Sequence, residues 1–115
     1  MSCYDERDLF AKSSKEVLVG VKVIIERQVK EGKEVELLSI LRELRGSALY
    51  RRGYISGETL QSHDDHSRYI VISNWQSLEN WEAWQKHAER IEITKKLEQI
   101  LIVPETYRVF QFVHL

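Results

Sequence analysis

Trp75, Trp81 and Trp84 fall within ten residues of one another, and Tyr69, Asn74 and His87 stand beside them. Indole N–H, phenolic O–H and carboxamide N–H groups donate hydrogen bonds, and histidine is the side-chain type that exchanges a proton near neutrality. Apolar walls with a few convergent polar groups are what a small-molecule pocket requires. Phe110, farther along the chain, offers another apolar wall. The competing reading is plain packing, because aromatic residues at helical spacing usually fill a core. The expectation is an aromatic-lined cavity between a sheet and its helices. Asn74, Trp84 and His87 are the candidates for catalysis there, and Tyr69, Trp75, Trp81 and Phe110 for contact with a substrate.

Other clusters carry less. His63, Asp64, Asp65 and His66 look like metal ligands, but consecutive residues of an extended turn point alternately to opposite sides and do not converge on an ion. A solvated turn is the stronger reading, so no metal is assigned. Arg51 and Arg52 form a basic pair without a surrounding basic surface, which favours a solvated strand end over an anion site. The single cysteine, Cys3, has no local base, and no phosphate-binding glycine loop or nucleophile elbow is present.

Alternating and helical periods define the elements that must position these residues. Val17, Val19, Val21, Val23 and Ile25 share one face of a first strand. Leu37, Ile40, Leu41, Leu44 and Ala48 recur at spacings of three and four and make one apolar helical stripe. Tyr54 to Gln61 and Tyr69 to Trp75 flank the polar Ser62 to Ser67 turn and predict a hairpin. Ser77 can cap a following helix that carries Trp81, Trp84 and Ala88 on one face and Ile93, Leu97, Ile100 and Leu101 farther on. A kink is expected near Lys86 to Glu89, with Pro104 ending the helix. Tyr107 to Val113 is the last strand, Tyr107, Val109 and Val113 facing one way and Phe110 and Phe112 the other.

The order β-α-β-β-α-β predicts an α+β, ferredoxin-like fold, a four-stranded antiparallel sheet with helices on one face. Large hydrophobic residues also fall on the other face, which then needs a cover. Residues 1–15 are charged and serine-rich, and read as a loose extension or a short helix laid on a partner subunit, ahead of one domain over 16–115.

Seventeen basic against 18 acidic residues leave a net charge of −1, so no overall field recruits nucleic acid or an anionic membrane. One cysteine forms no internal disulfide, no signal-like segment is evident, and no apolar run approaches the roughly 20 residues of a membrane span. A cytoplasmic protein is the expectation.

The segment from Gly53 to Trp84 resembles the antibiotic biosynthesis monooxygenase family, in which a glycine opens the second strand, an aromatic ends the third, and Trp-x-Ser leads into the next helix. Gly53, Arg68-Tyr69, Trp75-Gln76-Ser77 and Trp81-x-x-Trp84 carry the likeness, which extends over residues 16–113. It implies a homodimer in which two sheets pack face to face as a dimeric α/β barrel. It also implies a small hydrophobic or aromatic molecule as ligand.

Family members differ in chemistry. Some oxygenate aromatic compounds to quinones with molecular oxygen and no metal or flavin, and some degrade haem. The haem-degrading pattern places an asparagine on the first strand and a histidine well beyond the helical tryptophan. Val17 to Ile25 contains no asparagine, and His87 follows Trp84 by only three residues, so haem chemistry is disfavoured. The quinone-forming branch needs hydrogen-bond donors aimed at a phenolate in a water-poor pocket, a role open to Asn74, Trp75, Trp84, His87 and Tyr69. The resemblance thus implies a cofactor-independent monooxygenase acting on a small aromatic or quinol. The alternative is a non-catalytic dimeric module that binds a small molecule or docks a partner.

Overall fold

The computed structural model describes residues 20–115. The expectations for residues 1–15, and for Val17 and Val19 in the first strand, lie outside the described residues. Four strands, β1 (Val21–Gln28), β2 (Tyr54–Gln61), β3 (Arg68–Trp75) and β4 (Thr106–Gln111), form one antiparallel sheet in the order β2-β3-β1-β4. Three helices, α1 (Glu34–Ala48), α2 (Leu78–Gln85) and α3 (Ala88–Ile100), complete the ferredoxin-like α+β arrangement.

α1 buries the stripe its periodicity predicts, Leu37, Ile40, Leu41, Leu44 and Ala48. The expected kink is a full break between two helices. His87 leaves helical geometry (φ −66°, ψ 134°) and its Nδ1 accepts from the Glu89 N–H at 3.1 Å, so a new helix starts there. The break rotates Ala88 out to solvent, and Arg90 takes the inward position instead. Ser77 caps α2 as expected, its Oγ accepting from the Asn80 N–H at 3.1 Å.

α3 stops at Ile100, before Pro104 is reached. Leu101 turns extended and bridges Val29, and the Ile102 N–H donates to the Gln28 carbonyl at 2.8 Å. Pairing with the end of β1 takes the chain out of the helix before proline can. The last strand likewise ends at Gln111, short of Val113.

Register sorts the sheet into two faces. Val21, Val23, Ile25 and Arg27 lie beside Trp75, Ser73, Val71 and Tyr69, and all of these point to the helices. The core sits on that side, with Val23, Val29, Leu37, Trp75, Trp81 and Leu97 the most deeply enclosed. Ile24, Ile70, Ile72, Leu60 and Phe110 belong to the opposite face, which no described helix covers.

Candidate functional site

A cavity of about 60 Å³ lies between the helix face of the sheet and helices α1 and α2. Leu41, Leu44, Ile25 and Val71 give it aliphatic walls, and Trp75, Trp81 and Trp84 give it aromatic ones. Arg45, Glu58 and Thr59 are exposed lining residues, so the mouth opens between α1 and β2. The rings are held edge to face, Tyr54 on Trp75 at 5.2 Å between centroids and Trp75 on Trp81 at 5.9 Å. That geometry favours the ring quadrupoles and fixes the walls. Tyr107 extends the series from β4, 5.6 Å from Trp81. The Trp75 indole N–H is committed to Ser73 Oγ at 3.1 Å.

A β-bulge delivers Tyr54. Ser56 pairs with Asn74, yet Tyr54 rather than Ile55 pairs with Trp75, and the extra residue turns the tyrosine toward the cavity. Its hydroxyl passes over Gly57, which lacks the Cβ that would obstruct it. Burial raises the Tyr54 pKa, only partly offset by Arg45, so the phenol stays a hydrogen-bond donor. Gly53, which opens β2 with φ +83°, packs its Cα against the Asn80 side chain and accommodates the start of α2.

Two arginines line the inner end. Arg27 Nε donates to Glu105 Oε1 at 2.9 Å, and Arg90 Nη2 donates to Glu105 Oε2 at 3.2 Å. Their side chains are 2% and 8% exposed, against 21% for the glutamate. The Arg90 guanidinium carbon also lies 5.4 Å from the Trp81 ring centroid, a cation–π contact. Desolvation alone pushes the Glu105 carboxyl up, but the charges and hydrogen bonds of Arg27 and Arg90 outweigh it and hold the pKa below the usual range. Burial lowers the Arg27 pKa, from so high a value that the guanidinium remains charged at neutrality.

The residues expected to form the site divide accordingly. Trp75, Trp81 and Trp84 come together at the cavity. Asn74 does not, because neighbouring strand residues point to opposite faces and Trp75 takes the inward one; Asn74 Nδ2 instead donates to Ser56 Oγ on the open face at 3.0 Å. Phe110 is on that open face too, beside Lys22. Tyr69 points to the helices but at the far end of β3 from Trp75, where it accepts from Gln61 Nε2 at 3.0 Å and borders a different cavity of about 90 Å³. His87 stands behind Trp84, ring centroids 5.9 Å apart, engaged with the Glu89 N–H and the Arg51 guanidinium rather than facing the cavity. Arg51 in turn lies 5.7 Å from the Trp84 ring centroid, which places it as a support for the tryptophan.

Sequence reasoning missed Tyr54, Arg27, Arg90 and Glu105. Arg27 follows Ile25 by the same step of two that orders β1, and Arg90 precedes Ile93 by a step that shares its helical face. Both were therefore readable as inward residues.

A family model for antibiotic biosynthesis monooxygenases matches residues 20–96, two-thirds of the chain. The chain belongs to the antibiotic biosynthesis monooxygenase family. It is 24% identical over 78 residues to Protein SchA of Streptomyces halstedii, a match that takes in 68% of this chain. The chain spans about a fifth of the length of that curated relative. A conserved protein from Methanosarcina mazei Go1 superposes with a TM-score of 0.80 at 16% identity, over 85% of this chain and 97% of the other. SnoaB, a cofactor-independent oxygenase from Streptomyces nogalater, does so with a TM-score of 0.76 at 12% identity, over 84% and 96%. These structural likenesses establish the fold.

As an antibiotic biosynthesis monooxygenase domain, the molecule thus offers a partly open cavity, walled by aromatic and aliphatic residues, with the Tyr54 hydroxyl near its mouth and two guanidiniums at its inner end. Such an arrangement can receive the edge of a planar apolar ring and direct hydrogen-bond donors at its oxygen substituents. Among the described residues, no group of three or more His, Cys, Asp or Glu side chains is placed to hold a metal ion, and no helix is long and apolar enough to cross a membrane.

Proposed function

We propose that this chain is a cofactor-independent monooxygenase whose cavity takes a small aromatic or quinol substrate. The observation that carries the reading is the convergence of Trp75, Trp81 and Trp84 with the Tyr54 hydroxyl on one cavity. A phenol or quinol must lose its proton before its ring can pass electrons to oxygen. Donors in a water-poor site stabilise that anion more than bulk water does. One oxygen atom then replaces hydrogen at a ring carbon to form the new carbonyl, and the other leaves as water.

At about 60 Å³ the cavity is smaller than the roughly 150 Å³ that encloses a benzene ring. A single ring therefore lodges with its outer edge in the mouth between α1 and β2, or displaces Tyr54. Larger polycyclic substrates need a wider opening still. The test is a panel of hydroquinones and anthrols incubated with the protein and a chelator, with quinone formation followed by absorbance against a protein-free control. Product that carries one atom of isotopically labelled molecular oxygen, formed above that control at a saturable rate, supports the reading, since a hydroquinone can reach the quinone by losing two hydrogens alone.

A second reading is a small-molecule-binding module without catalysis. It is favoured by the positions of Asn74 and His87 outside the cavity, which leave no histidine there and only Glu58, exposed at the mouth, as a carboxylate. Saturable quenching of tryptophan fluorescence by these compounds, with no quinone formed, would select it. In either case we propose a homodimer built through the open face of the sheet, where Ile24, Ile70, Ile72, Leu60 and Phe110 await a cover.

A further inference from the structure

We infer that the cavity's ligand carries an anionic group, such as a carboxylate on the aromatic ring, that is received by Arg27 and Arg90. The inference rests on the cavity being the ligand site, and it narrows the substrate class to aromatic acids. Two buried guanidiniums share a single carboxylate, Glu105, which leaves one positive charge in excess at the inner end of a chamber with mainly apolar walls. Each arginine gives Glu105 one N–H, Nε from Arg27 and one Nη from Arg90. A guanidinium has five, and among the described residues no other hydrogen bond is made by either side chain.

Those N–H groups are not sealed off, since among the described residues Ser47 Oγ alone is a buried side-chain atom without a partner, so they stay open to a further acceptor. A ligand anion would balance the excess charge and accept from these open N–H groups. The acidic groups elsewhere do not: Glu58 is exposed at the mouth, and Glu89 is paired with Arg51. Planar, two-pronged donors also match a planar carboxylate better than they match a single hydroxyl. The Trp81 ring, lying against Arg90, sets the guanidinium next to the aromatic wall, so one ligand can touch both.

The test is calorimetric binding of salicylate and of salicylamide, rings of nearly the same shape that differ in charge near neutral pH. Salicylate should bind wild-type protein about tenfold more tightly or better, and added salt should weaken it while leaving salicylamide unchanged. Arg90→Gln should remove most of that preference. Glu105→Gln should move the other way and tighten salicylate, because it removes the negative charge that offsets the two guanidiniums; a merely structural cluster gives no such gain. Circular dichroism verifies that each variant is folded, and the wild-type comparison stands without them. Equal affinity for acid and amide, or weaker salicylate binding in folded Glu105→Gln, overturns the inference. Charge-selective binding with no oxidation of any compound retains it and rejects the oxygenase. Oxidation of neutral hydroquinones without any preference for acidic rings does the reverse.

Discussion

The Tyr54 hydroxyl lies so close over Gly57 that a Cβ on the glycine would stand 2.5 Å from the oxygen, against 3.6 Å from the ring carbon that bears it. The bulge in β2 and the missing side chain at position 57 thus act as a pair to place one phenol near the cavity mouth. Gly57→Ala should force Tyr54 to move and cost about 1–3 kcal/mol, as overpacking does. Tyr54→Phe alone should cost no more than about 1 kcal/mol. In the double variant the clash is gone, so urea unfolding should give a total loss below the sum of the single losses. Additive losses would show that the two residues do not constrain each other.

Trp84 is 5% exposed and contributes to both core and cavity. Trp84→Ala should cost roughly 3–5 kcal/mol through the void it leaves. Trp84→Phe keeps most of the apolar body and removes the indole N–H. Its stability should change far less, whereas turnover should fall about 100-fold if that N–H faces the developing anion. Thermal melts and steady-state rates on the same samples separate the two roles. Unchanged turnover would leave Trp84 as wall alone.

Much of this was legible in the chain. The step-of-two pattern through Val21, Val23 and Ile25 and the stripe from Leu37 to Ala48 specify the sheet face and the helix that covers it, because burial on one side enforces the period. The helix break also showed, near Lys86 to Glu89. The same alternation already separated Asn74 from Trp75, so placing both at one site conflicted with strand geometry. Tyr54 was harder, since a bulge shifts register by one residue and leaves no mark in the hydrophobic pattern. Glu105 was not readable at all. It joins Arg27 and Arg90 only through the pairing of β4 with β1, a contact between residues 78 positions apart.

Glu105 should also govern acid stability. Its folded pKa lies below the ordinary 4.5, so in that range the unfolded chain binds more protons than the folded one. The stabilisation is fully present above the unfolded value and is lost as pH falls through the folded one. Melting temperature should therefore hold above about pH 5 and decline on acidification below it. The decline should be shallower in Glu105→Gln, which has no proton to take up. Parallel acid profiles for the two proteins would remove the cluster from the explanation.

The open sheet face should be an interface. A specific contact buries about 1,600 Å² in total, and the exposed or half-buried Leu60, Ile70, Ile72 and Phe110 give it an apolar centre. Sedimentation at micromolar concentration should yield twice the 13.6 kDa chain mass, and Ile72→Lys should shift the population to monomer. Wild-type protein sedimenting as a monomer would reject the barrel assembly.

Oxygen uptake tests the central claim most directly. With chelator present and no added metal or flavin, wild-type protein and a panel of hydroquinones, anthrols and their carboxylated analogues should consume oxygen above the protein-free rate. Uptake should saturate with at least one substrate, place one oxygen atom in the product without releasing hydrogen peroxide, and fall in Tyr54→Phe. No uptake above the protein-free control across the panel, from folded protein that nonetheless binds these rings, would contradict the oxygenase and leave a binding module.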